Sequence, residues 1–146
     1  MTFRRRILIP VVAALAVLGP AAASAAEPPT IAVTLGGKAG RKMAMTLSAD
    51  TVKAGAVDFD VKNASTDATH EFLLLPWPGA ISALPYDAIA DQADEGELKG
   101  LQGLEDLKPG LEAKLLLMLR PGKYVAFCNQ SGHYKAGMVR RFIVTP

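Results

Sequence analysis

One cysteine and two histidines are the chain's whole stock of those residues, and their placement limits how it can fold. Cys128, His133 and Met138 are spaced Cys-x4-His-x4-Met, while His70 lies upstream at the head of the apolar run Phe72-Leu73-Leu74-Leu75. Successive side chains of a strand point to opposite faces, so ligands strung along one straight strand do not converge on a point. The spacing therefore predicts a strand ending at Cys128, a loop carrying His133 and Met138, and a second, distant strand that delivers His70.

Short runs of alternating apolar and polar residues, bounded by Gly, Pro, Asn, Asp and Ser, supply such strands. Ile31, Val33 and Leu35 share one face of a first strand, and Met43, Met45 and Leu47 one face of a second. After a turn around Lys53-Ala54-Gly55, Val57, Phe59 and Val61 form a third. A fourth runs from Thr69 to Leu75 and stops at Pro76-Trp77-Pro78-Gly79, where proline removes ladder donors. Alternation resumes from Leu111 to Arg120, Lys123 to Cys128 delivers the thiol, and Val139 to Val144 closes the chain. Between the two halves, Ile81 to Gly110 carries Asp87, Asp91, Asp94, Glu95, Glu97, Glu105 and Asp106 against Lys99 and Lys108. Tyr86 to Glu97 in it is read as one or two helical turns. The expected fold is all-β: an antiparallel Greek-key β-sandwich with a long acidic, partly helical insert.

Residues 1–25 read as a cleaved secretory signal peptide. Arg4, Arg5 and Arg6 precede the apolar stretch Ile7 to Leu18, and Ala23-Ser24-Ala25 is a small-residue cleavage site. That stretch is shorter than the ~20 residues a membrane-spanning helix needs, so no stable membrane insertion is expected once the leader is removed. The double arginine leaves both the general secretory and the twin-arginine routes open, and the expected location is the periplasm. Residues 26–146 then form one domain with 13 basic and 14 acidic side chains, a balance that implies no nucleic-acid partner.

An exported protein usually pairs its cysteines, yet Cys128 has no partner in the sequence. An inert buried thiol and an intermolecular bridge are the plain alternatives to a metal ligand. Thiolate, two imidazoles and a thioether are the donor set of a trigonal blue-copper centre with a weak axial sulfur. Zinc suits the set less well, since structural zinc sites favour several thiolates over a thioether. Met138 is either that axial donor or a core methionine at the head of a strand. Met43 and Met45 read as core residues, and Trp77 as a packed loop aromatic or part of a docking surface.

The segment from Cys128 to Met138, Cys-Asn-Gln-Ser-Gly-His-Tyr-Lys-Ala-Gly-Met, resembles the copper loop of the cupredoxin superfamily, which includes plastocyanin and azurin. Gly55-x3-Phe59-x-Val61-x-Asn63-x-Ser65-x4-His70-Glu71-Phe72 resembles that superfamily's first-histidine region. The resemblance implies one type 1 copper ion held by Cys128 sulfur and the Nδ1 atoms of His70 and His133, with Met138 axial. It also implies that His133 reaches the surface as the electron port, among small residues that admit a redox protein partner. The chain departs from the pattern twice. Ser131 stands where many relatives have proline, and Glu71 where azurin and plastocyanin have Asn, with Asn129 as a candidate partner for that carboxylate. The expected function is a periplasmic one-electron carrier rather than an enzyme, since no histidine remains to build a second, substrate-binding metal. The alternative is a periplasmic copper-handling protein without a redox partner.

Overall fold

The computed structural model describes residues 26–37 and 42–146; the predicted signal peptide lies outside them. Four strands form one sheet: β1 (Thr30–Gly36), β2 (Ala44–Leu47), β4 (Gly55–Asn63) and β9 (Glu112–Leu119), in the order β2-β1-β4-β9. Five form the other: β3 (Thr51–Lys53), β5 (His70–Pro76), β8 (Gln102–Leu107), β10 (Gly122–Phe127) and β11 (Val139–Thr145), in the order β3-β11-β10-β5-β8. A two-stranded hairpin of β6 (Tyr86–Asp87) and β7 (Gln92–Ala93) stands apart.

The alternation does what period two predicts. Ile31, Val33 and Leu35 of β1 are buried, as are Val57, Phe59 and Val61 of β4, and Met43 and Met45 join the same core. Phe72, Leu74, Tyr124, Ala126 and Phe142 face them from the second sheet. At the centre the Phe59 ring lies 5.1 Å from that of Phe72 and 5.7 Å from that of Phe142. Each such ring removed from water contributes roughly 1.5–3 kcal/mol, so the sandwich is held chiefly by this layer.

The second sheet is buried on both faces, which explains why Leu73-Leu74-Leu75 and Val125-Ala126-Phe127 are unbroken apolar runs. Leu73, Leu75, Val125 and Phe127 point away from the sandwich core and pack with Leu84, Ala93 and Leu98 of the insert. The acidic insert is thus a cover with an apolar underside. Trp77 packs into this cluster and donates its indole N–H to Ala80 O at 2.8 Å.

Three details differ from the sequence reading. The sandwich is mixed, since β1 pairs with β4 and β11 with β3 in parallel. The chain leaves the first sheet after β2, contributes β3 to the second, and returns beside β1. Of the helical turns expected over Tyr86 to Glu97 the insert holds one, the 3-10 turn Glu95–Glu97; a second 3-10 turn, Ile81–Ala83, precedes that span, and the rest of it is a hairpin. Asp91 at φ 56° reverses the chain there, a conformation that no right-handed helix tolerates. Finally, Gln102–Leu107 of the insert is a strand on β5. It approaches so closely that a Cβ on Gly103 would stand 2.2 Å from Phe72 O.

Candidate metal centre

The strand, loop and distant strand that the spacing demanded are all present. Cys128 follows the last residue of β10, residues 129–138 form the loop to β11, and His70 opens β5, the neighbour of β10 in the sheet. The loop is wound by its own backbone: His133 N–H bonds Gln130 O at 2.9 Å, and Met138 N–H bonds His133 O at 3.1 Å. Cys128 N–H then bonds Met138 O at 3.0 Å, closing the loop's two ends on each other.

His70 is fixed from the other side. β8 carries one extra residue opposite β5, with Asp106 at φ 51°, so His70 pairs with Leu107 and Phe72 with Leu104. Such an irregularity re-aims the neighbouring side chain. Before His70, the buried Asn63 side chain donates to Ala68 O and Leu107 O, both at 2.8 Å, and accepts from Ser65 N–H at 3.0 Å. The residues on both sides of His70's backbone are thus tied to one side chain.

The result is a convergence of three donors. His70 Nδ1 and His133 Nδ1 are 3.1 Å apart, and Cys128 Sγ lies 3.4 Å from His133 Nδ1 and 3.9 Å from His70 Nδ1. The point in their plane equidistant from all three lies about 2.0 Å from each, which is the length of a metal–imidazole bond, ~2.0–2.1 Å. Among the described residues this is the one cluster of His, Cys, Asp and Glu side chains that meets a metal-site geometry. Met138 is wholly buried at the end of the loop, its backbone bonded to both Cys128 and His133.

Burial sets the charge state of the cluster. It pushes the Cys128 thiol up to about 11, against the Glu71 N–H that donates to the sulfur at 3.2 Å. It pulls His70 down to about 4, with the neighbouring His133 adding to the effect, and lowers His133 as well. The metal-free cluster is therefore neutral near pH 7. A thiolate in this position needs a cation to balance it, and a metal ion supplies one. His70 Nε2 is buried without a hydrogen-bond partner, so only the Nδ1 side of the ring is served. The donor set, soft sulfur with two neutral imidazoles, fits copper.

The solved structures that the model matches share its architecture. Dithionite-reduced auracyanin from the photosynthetic bacterium Roseiflexus castenholzii is 22% identical, with 84% of this chain and 100% of that chain covered and a TM-score of 0.58. Rusticyanin from Thiobacillus ferrooxidans is 18% identical over 82% of this chain and 79% of that one, TM-score 0.51. A second rusticyanin structure, described as that of a copper protein, is 16% identical over 82% and 80%, TM-score 0.52. The fold is that of the cupredoxins. By sequence the chain matches no protein-family model and no curated protein.

Within this cupredoxin fold Glu71 touches the cluster through both its backbone and its carboxylate. Its N–H donates to Cys128 Sγ at 3.2 Å. Its carboxylate accepts from Gln130 Nε2 at 2.6 Å and from the backbone N–H of Asn129 at 3.1 Å. The expected partnership with Asn129 is formed through its backbone N–H, while its side chain turns to the insert. Burial raises the Glu71 carboxyl, and the bonds from Gln130 and Asn129 oppose the rise. Gln130, Gln92 and Asp91, which frame the loop, were not legible as site residues, since amides and carboxylates in a polar stretch look like a solvated face.

Proposed function

We propose that the protein binds one type 1 copper ion through His70, Cys128, His133 and Met138 and serves as a one-electron carrier rather than an enzyme. The observation that carries this reading is the triangle of one sulfur and two Nδ1 atoms, whose centre stands about 2.0 Å from each, the length of a metal–imidazole bond and about 0.3 Å less than a metal–thiolate bond. Copper, when bound, supplies the one-electron couple. The chain's residues do the rest. The Glu71 N–H on Sγ holds the sulfur in place and shares its negative charge. His70 and Cys128 are themselves fully buried, out of reach of water, and the loop's backbone bonds keep His133 and Met138 where they stand. His133 is half-buried where His70 is fully so, which makes its ring the natural route for an electron between the centre and a partner.

The proposal extends to a redox protein partner docking beside His133, where Gly132, Ala136 and Gly137 allow close approach, and to export into the periplasm as the leader suggests. Among the described residues no helix is long and apolar enough to cross a membrane. The test is a copper(II) titration followed by absorbance and electron paramagnetic resonance. One equivalent is expected to give an intense visible thiolate-to-copper band with a small hyperfine splitting, and Cys128→Ala to abolish the band. A colourless or tetragonal copper adduct in the parent protein refutes the assignment.

A further inference from the structure

We propose that the segment between β5 and β8 is a strap that presets the ligand loop, and that Asn129 is the positioning residue through which it acts. This rests on the metal-centre reading above and adds to it a role for the insert.

Asn129 follows the cysteine directly and is buried, and every polar group it owns is engaged. Its N–H donates to Glu71 Oε2 at 3.1 Å, and its C=O accepts from Gln92 Nε2 at 2.5 Å. Its side chain meets Ala93 as a neighbouring strand would, Oδ1 accepting the Ala93 N–H at 2.7 Å and Nδ2 donating to Ala93 O at 3.1 Å. Nδ2 also donates to Glu95 Oε1 at 2.7 Å. Apart from the bond to Glu71, all of these come from the strap. Two residues on, Ser131 Oγ donates to Ala90 O at 3.0 Å, and Gly132 N–H donates to Asp91 O at 2.8 Å.

The strap's bonds therefore land mainly on residues 129, 131 and 132, the stretch that separates the sulfur donor from the second imidazole, with Tyr134 Oη donating to Ile81 O at 2.7 Å and Lys135 Nζ to Asp91 Oδ1 at 3.2 Å just beyond it. A residue pinned at both its N–H and its C=O leaves the adjoining Cys128 little freedom to tilt its Cα–Cβ bond. The strap is itself anchored, because Leu84, Ala93 and Leu98 are buried against the outer face of the second sheet. Asp87 Oδ1 also accepts from Ile89 N–H at 2.7 Å, which shapes the hairpin turn internally. Apolar burial on the sheet is thus transmitted through Ala93 and Asn129 to the angle between the donors. Two of the strap's carboxylates, Glu95 and Asp91, join its backbone in holding the loop, through Asn129 and Lys135.

The experiment compares the parent with Asn129→Ala and Gln92→Ala. Amide hydrogen exchange on the metal-free proteins reads the strap without any copper. The copper(II) thiolate band, hyperfine splitting and potential then read the donor geometry. In Asn129→Ala, the Ala93 and Gly132 amides are expected to exchange about tenfold faster or more, the effect of losing one net hydrogen bond or more. The band and the potential are expected to shift as well. Gln92→Ala gives the same pattern, weaker, and decides the matter if Asn129→Ala does not fold. Unchanged exchange at both amides overturns the strap. Faster exchange with a band, splitting and potential equal to the parent's overturns the positioning role. A parent that takes up no copper overturns the metal reading and this role with it, a result distinct from either.

Discussion

Replacing Asn63 by alanine tests how His70 is held. Asn63 is completely buried, and its Nδ2 donates to Ala68 O and Leu107 O at 2.8 Å each. Its Oδ1 accepts from Ser65 N–H at 3.0 Å and Ser65 Oγ at 2.6 Å. The alanine variant keeps the backbone bonds to Leu111 and Gly110 but strands the Leu107 carbonyl and the Ser65 N–H where water does not reach. Each net hydrogen bond contributes about 1 kcal/mol, and a stranded buried group costs about 1–3 kcal/mol, so the expected loss is about 3 kcal/mol. For a domain of this size that corresponds to a fall of roughly 10 °C in Tm. Urea denaturation of the metal-free protein measures it, with Ser65→Ala as the control. That control removes only the hydroxyl, leaves the Ser65 N–H on Oδ1, and is expected to lose about 1 kcal/mol. Because Leu107 is the residue that pairs with His70, Asn63→Ala is also expected to weaken copper binding. A loss below about 0.5 kcal/mol, or one equal to that of Ser65→Ala, refutes the view that this side chain ties the two flanks of His70 together.

Met138→Gln is expected to retain copper and lower the reduction potential, because a harder axial donor favours Cu(II); a potential equal to the parent's by voltammetry removes Met138 from the ligand set. The metal-free protein is expected to lose stability on acidification from about pH 6.5 to pH 4. In that window the unfolded chain's histidines bind protons that folded His70, held down to about 4 by burial, refuses. With allowance for partial solvent screening the loss is on the order of 2 kcal/mol, and His133 acts in the same direction. His70→Asn is expected to flatten the slope in denaturation curves taken across the window, and an unchanged slope counts against this origin. On the alkaline side the buried thiol, raised to about 11, gives a second decline between roughly pH 9 and 11, which Cys128→Ala is expected to remove.

Period-two alternation identified β1, β4 and the core of β2 from residue types alone, because each of these strands faces the core on one side. It lost force where burial is two-sided or a strand is too short. Gln102–Leu107 has one buried side chain, Leu107, and its place beside β5 depends on a glycine at 103, so no apolar pattern announces it. Thr51–Lys53 is three residues beside a turn, and its parallel pairing with β11 is set by a chain end far away in sequence. The insert was read by its charges, which face water. Its function in the fold lies in Leu84, Ala93 and Leu98 and in backbone groups that no sequence pattern displays. The candidate donors were legible for the opposite reason. Three rare side chains at fixed spacing leave few ways to be placed, whereas the amides that frame them are common residues whose partners only the fold reveals.

Burial decides the chemistry of this cluster as much as the donor atoms do. A thiol held near 11 beside an imidazole held near 4 makes the metal-free site uncharged at neutral pH. A cation entering it exchanges for the thiol proton and for none on the imidazoles, which are already bare of the extra one. The same three groups on an open surface would bring hydration shells and mobile rotamers, and an ion would have to order them while it bound. Here the ordering has been done by other parts of the chain: the Asn63 side chain for His70, the loop's own turns for His133 and Met138, and the strap for the peptide after Cys128. A frame fixed from three directions has little room to relax when the charge at its centre changes by one. For the proposed electron carrier that is the condition for fast exchange, and it arises from hydrogen bonds and apolar packing that lie outside the candidate donors.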